Sequence, residues 1–199
     1  MAGNSGAMAA APALILTVGH STRPLEEFLA LLVGHGVTQL VDIRSIPRSR
    51  HNPQYDRTRL PRSLEDLGIH YVHMPGLGGR RRARPDSINT AWRNASFRGY
   101  ADYLQTPEFA ESLDALLRLA AVAPTAIMCA EAVPWRCHRS LVSDALLARG
   151  ARVEEIVNPA ATRPHTLTPW AKVEGARVTY PAAPDAQMEL GVALRAPDS

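Results

Sequence analysis

Residues 14–43, LILTVGHSTRPLEEFLALLVGHGVTQLVDI, decide the fold. The apolar run 14–18 ends at Gly19-His20-Ser21, the pattern of a buried strand entering a loop. Ser21 or Thr22 is placed to cap a helix, with Pro24 near its first turn and Glu26 and Glu27 where the helix dipole favours acids. Leu25, Phe28, Leu29, Leu31 and Leu32 recur at helical spacing, and Gly34-His35-Gly36 stops the helix, with His35 read as a structural cap. Residues 37–43 give a second strand. Strand, helix and strand in this order make a βαβ unit, which predicts a right-handed crossover between parallel strands.

The alternation continues beyond it. Pro47 and Pro53 argue against a regular element in the arginine-rich segment 44–56. A helix is expected over 57–67, closed by Gly68, then a third strand over 69–73 and a long loop over 74–98. An amphipathic helix over 108–121 precedes a fourth strand at 125–129. A loop to Arg136, a helix over 137–148 closed by Gly150 and a fifth strand over 151–157 complete the pattern, with an edge hairpin around 176–180. The reading is a single three-layer α/β domain over 14–181: a mostly parallel sheet of about five strands with helices on both faces. A disordered segment 1–13 and a tail 182–199 flank it.

Composition limits the classes of function. Of 199 residues, 46% are hydrophobic and 21% charged, which excludes wholesale disorder. No apolar run reaches the roughly 18 residues of a membrane span, and the start lacks a basic signal-peptide region, so a cytoplasmic protein without membrane contact is expected. Two cysteines exclude a disulfide scaffold and a four-cysteine zinc module, leaving a reactive thiol, a mixed Cys/His site or two core residues. All but one of the 22 basic residues are arginine, and the net charge of +3 hides a strongly basic stretch between Arg44 and Arg98.

Polar residues gather where strands end. Gly19-His20-Ser21 follows the first strand, Asp42 and Arg44 close the second, Cys129-Ala130-Glu131 closes the fourth, and Cys137-His138-Arg139 opens the next helix. Parallel sheets bind ligands at their strand C-termini, so a site there is expected. At a helix N-terminus between Arg136 and Arg139, Cys137 is favoured as a low-pKa nucleophile over a small buried hydrophobe, while Cys129, ending an apolar strand, is read as core. Glu131 and His20 are the candidate proton carriers, with Glu131 equally able to neutralise Arg136. Ser21, Asp42, Arg44, Arg136, His138 and Arg139 are candidate substrate contacts, although Asp42 and Arg44 also read as a strand-end ion pair. His70 and His73 alternate along one strand, and at least one is structural. No metal or cofactor is called for: the Cys129/Cys137/His138 spacing matches no zinc pattern, and a Cys/His metal protein is a distant alternative. Arg80, Arg81, Arg82 and Arg84, near Trp92, Phe97 and Tyr100, offer phosphate grips and stacking surfaces for nucleic acid.

Gly19-His20-Ser21-Thr22, the segment Val41 to Pro47, His73 to Gly79, and Cys129-Ala130-Glu131 with Cys137-His138-Arg139 resemble, in order from about Ile15 to Pro181, the family called domain of unknown function 488. The resemblance implies a bacterial or archaeal cytosolic protein, and it places His20, Ser21, Asp42, Arg44, Cys129, Glu131, Cys137, His138 and Arg139 within the recurring pattern. A looser similarity is to rhodanese-like domains, where a strand ends in Asp-x-Arg and a cysteine loop grips an anion. Here Cys129 and Arg136 are separated by one residue more than in that pattern, and Pro134-Trp135 interrupts the loop. The expected function is an enzyme acting on a nucleotide, nucleic acid or other anionic substrate. The alternative is a nucleic-acid-binding module using segment 44–98.

Overall fold

Side chains alternate across the strands to fill two apolar layers. Ile15, Val41, Ile127 and Val153 face one side of the sheet, and Leu16, Leu40, Ala126 and Met128 face the other. The computed structural model describes residues 12–183, so the segments 1–13 and 182–199 lie almost wholly outside the described residues. The strands are β1 (Leu14–Gly19), β2 (Gln39–Asp42), β3 (His70–His73), β4 (Thr125–Cys129), β5 (Arg152–Asn158) and β6 (Ala161–Pro164). They form one sheet in the order β3-β2-β4-β1-β5-β6, parallel throughout except for β6. A separate antiparallel pair, β7 (Lys172–Glu174) and β8 (Arg177–Thr179), turns at Gly175, whose φ is +59°.

Among the described residues, five helices cover both faces. Helices α1 (Leu25–Gly34) and α2 (Leu60–Glu65) bury Phe28, Leu31, Leu32, Leu60 and Leu64 on one face. Helices α3 (Ala95–Tyr103), α4 (Pro107–Ala120) and α5 (Arg139–Ala148) bury Tyr100, Phe109, Leu113, Leu141 and Leu146 on the other. Each such side chain contributes about 1.5–3 kcal/mol through removal from water. The mostly parallel α/β sheet is therefore present, with one added antiparallel strand.

Local differences from the expected elements have local causes. Helix α1 begins at Leu25 without a side-chain cap, because Ser21 adopts a left-handed conformation (φ 51°) and commits its N–H to the Ala130 carbonyl. Helix α2 is shorter than 57–67 because Arg57 and Arg59 bond back to Pro47 and Asp56 in turns. Helix α3 lies partly within the expected loop, capped by Asn94, whose side chain accepts from Ser96 and Phe97. The rest of that loop is pinned by the Asp102 carboxylate, which accepts from Arg84 N–H, Ser87 and Asn89.

The arginine run also lies directly against Gly99. A Cβ at Gly99 would sit 2.5–2.7 Å from backbone atoms of residues 81–83. Backbone on both sides cannot yield as a flexible side chain does. Gly99→Ala is expected to destabilise the fold by about 1–3 kcal/mol, read as a lower urea midpoint at unchanged slope.

Candidate active site

Helix α1 follows β1 on one face, and α5 follows β4 on the other. Because β1 and β4 are neighbours, their departing chains part and leave a crevice at the strand C-termini. Two bonds, His20 N–H to the Cys129 carbonyl (3.0 Å) and Ser21 N–H to the Ala130 carbonyl (2.9 Å), hold its edges together. The cavity there has a volume of about 580 Å³. His20 and Ser21, just after β1, line its wall, with Cys129 at the end of β4, Glu131 just beyond it, and Arg136, Cys137 and His138 from the following turn. Arg44 lines it from beyond β2, and the irregular segments bring Arg48 and Arg80.

The two cysteines meet on this wall. Both are free and nearly buried, with their sulfurs 2.7 Å apart. The hydrogen bond between the two sulfurs, with the Arg139 guanidinium 3.5 Å from Cys129 Sγ, lowers the Cys129 pKa against the cost of burial. The same bond, together with burial, raises Cys137 well above the usual thiol range. The expected order of the two thiols is thus inverted. Residues 134–136 form a 3-10 turn, so Cys137 is extended (φ −134°, ψ 145°) and α5 begins only at Arg139. Cys137 precedes the helix, and although its Sγ accepts from the Arg139 N–H at the helix start (3.5 Å), the Cys129 bond and burial outweigh that downward pull.

Arg44 is the second organising group. Its guanidinium grips both oxygens of Asp42 (2.9 and 2.6 Å) and donates to the Tyr55 carbonyl (2.7 Å). Its remaining Nη1 donates to His20 Nε2 (3.2 Å), which leaves His20 Nδ1–H to donate to the Ser21 carbonyl (2.8 Å). The His20 ring also stacks on Tyr55, 4.1 Å between centroids. Burial, reinforced by the Arg44 charge, pulls the His20 pKa down to about 4. The neutral ring thus orients Arg44, its lone pair already engaged. His138 is likewise pulled to about 4 by burial; its Nε2 faces the Ile43 carbonyl (3.3 Å) and its Nδ1 faces Cys137 Sγ (3.5 Å).

The remaining candidates divide. Glu131 and Arg136 are exposed on the cavity wall. Asp42 is fully buried and consumed by Arg44 and Tyr71, as befits a strand-end ion pair. Arg139 has no exposed surface and lies beneath the loop, so it serves the thiol and the Ala132 carbonyl rather than the cavity wall. Of the arginine run, Arg80 reaches the cavity. Arg81 packs its guanidinium 3.6 Å from the Tyr103 ring centroid, Arg84 pairs with Asp86, and Arg82 faces solvent. Among the described residues no cluster of three or more His, Cys, Asp or Glu side chains is gathered that could hold a metal ion, and no helix is long and apolar enough to cross a membrane.

Two glycines escaped the sequence reading. A Cβ at Gly19 would lie 1.8 Å from the Glu131 carbonyl oxygen and 2.9 Å from Arg139 Nη1. A Cβ at Gly79 would lie 2.4 Å from His138 Nδ1. Their sequence signal is a glycine at a strand end and within Gly78-Gly79, where backbones approach closely.

Both histidines must stay neutral on folding. The unfolded chain takes up their protons near pH 6.5, whereas the folded chain resists until about pH 4. Their contribution to stability is therefore complete above about pH 6.5 and declines as pH falls toward 4. Urea unfolding at pH 7 and pH 5 should show this fall, and His20→Gln should make it shallower.

The family described as "Domain of unknown function DUF488" matches residues 24–146. This span is narrower than the 15–181 suggested by the motifs; it includes Arg44, Glu131 and both cysteines and leaves His20 and Ser21 just outside. Among curated proteins and among solved structures, none matches the chain. Matched over more than half its length, from the start of α1 to the last turns of α5, the chain belongs to the DUF488 family.

Proposed function

We propose that the chain is a thiol-dependent enzyme acting on an anionic substrate bound at the strand C-termini, with Cys129 as the reactive thiolate. The observation that carries this reading is the sulfur pair, 2.7 Å apart on the wall of a cavity ringed by Arg48, Arg80 and Arg136. Cys137 holds the proton that stabilises the Cys129 thiolate, and Arg139 supplies positive charge from below. The exposed arginines take up the substrate's anion by bidentate hydrogen bonds. Glu131, an exposed carboxyl on the same wall, relays protons between substrate and solvent. A reducing cytosol suits two free cysteines. A nucleic-acid-binding module built on segment 44–98 is the weaker reading, because Arg44, Arg81 and Arg84 are committed within the chain.

Alkylation by iodoacetamide, followed residue by residue by mass spectrometry, tests the assignment. Cys129 should react at pH 7 faster than an unperturbed thiol, and Cys137 should be slow. Because Cys137 lowers the Cys129 pKa, Cys137→Ala should move the pH midpoint of Cys129 alkylation upward and slow it at pH 7 by about threefold or more. Cys137→Ser, which keeps a donor, should restore part of the rate. Inorganic phosphate should protect Cys129. An inert Cys129 in the folded protein would sink the reading.

A further inference from the structure

A second cavity, of about 740 Å³, opens on the other side of the Pro134–Arg136 turn. Its floor is Thr17 and Glu155, register partners on β1 and β5. Trp92, Trp135 and Trp170, which are all the tryptophans of the chain, line its walls. Trp92 meets the Trp170 ring edge-on at 5.2 Å between centroids, and Trp135 and Trp170 remain 62% and 43% exposed. The Arg163 guanidinium lies 5.9 Å from the Trp135 ring centroid, and both indoles keep much of their surface open to a ligand at the cavity mouth.

The cavity is also built firmly. The buried Asp144 carboxylate accepts from His165 Nε2 (2.8 Å) and Thr168 N–H (3.1 Å), which fixes the segment carrying Trp170. Among the described residues, the buried Trp92 Nε1–H has no acceptor.

Charge selects between the ligands such a cavity could hold. An aromatic cage for a cation needs an uncompensated carboxylate. Glu155 instead bonds to Arg163 and has the Arg139 guanidinium 3.9 Å away. With Glu155 already compensated, a cation finds no free carboxylate there and a neutral planar ring is favoured.

The two cavities share a wall. Trp135 lines the aromatic cavity while the next residue, Arg136, lines the thiol cavity. Trp92 lines the first and stacks at 4.8 Å on Phe97, which lines the second. We infer that the tryptophan cavity takes the base of a nucleotide whose phosphate lies among the arginines of the thiol cavity, so that the substrate is a nucleotide, free or at the end of a single strand. This rests on the anionic-substrate reading above and adds to it the class of substrate.

Because every tryptophan lines the cavity, intrinsic fluorescence of the wild-type chain reports on it alone. Adenosine should quench this fluorescence saturably, and adenosine 5′-monophosphate should bind about tenfold or more tightly than adenosine. By calorimetry, Trp135→Ala should weaken adenosine monophosphate about tenfold or more and Trp135→Phe should recover most of that loss. A single-stranded tetranucleotide binding more tightly than the monophosphate assigns the strand end, and equal affinity assigns the free nucleotide. If neither adenosine compound quenches at millimolar concentration, the inference is overturned, whereas the thiol reading survives if phosphate still protects Cys129 from iodoacetamide. If adenosine quenches but neither phosphate nor the monophosphate protects Cys129, the thiol reading falls and the inferred phosphate position falls with it.

Discussion

A guanidinium with no exposed surface, that of Arg139, sits under the loop joining β4 to α5. Arginine keeps its charge at any ordinary pH, so its burial obliges the surrounding chain to supply acceptors. The Ala132 carbonyl supplies one at 3.3 Å, and Glu155 approaches only to 3.9 Å. The sulfur of Cys129 lies at 3.5 Å, and Nε has no partner among the described residues. A cation this thinly compensated favours any nearby group that can become an anion. Cys129, beside that cation and hydrogen-bonded with Cys137, is that group. The bare Cα of Gly19 is part of the same arrangement, since any side chain there would collide with Arg139 and with the loop it supports.

Arginine serves a different purpose around β2. The planar fork of Arg44 engages Asp42, Tyr55 and His20 at once, tying the end of β2 to the end of β1. A lysine ammonium could reach one or two of these partners but could not hold the plane that sets the His20 tautomer. The near absence of lysine therefore has structural content in this chain, whatever its origin in codon usage. Arginines with several internal partners build the crevice, and those with none at its rim remain available for ligands.

The fold was legible where information is local. The continuous apolar runs at 14–18 and 125–129, and the helical spacing of Leu25 to Leu32, specify elements through their own local pattern. Strand order was not legible, because β4 inserts between β1 and β2 through contacts distant in sequence. Helix α3 was hidden by its position after a long proline- and arginine-rich stretch, with Asn94 as its one clear start signal. At the site, the strand-end positions of His20, Arg44, Cys129, Glu131 and Cys137 follow from element boundaries, and the structure brings them together. The roles of the cysteines and of Arg139 did not follow. They depend on a 3-10 turn over 134–136, read from the sequence as loop, after which the helix expected from 137 begins only at Arg139, and on a cation whose burial only the assembled loop creates.

That turn also explains how one short loop can face two cavities. Successive residues of a 3-10 helix are about 120° apart, so Trp135 and Arg136 project in different directions from adjacent backbone positions. An α-helix would separate neighbours by a similar angle but would need a full turn more of chain, and the nine residues 130–138 between β4 and α5 leave little room for it. A strand would point the two side chains to opposite faces, placing them across a sheet from each other. The 3-10 geometry keeps an aromatic face and a guanidinium on the same rim while directing each into its own cavity. A ligand anchored by its ring is then held with its anion near Arg136, and the second contact is made at high effective concentration rather than as a separate binding event.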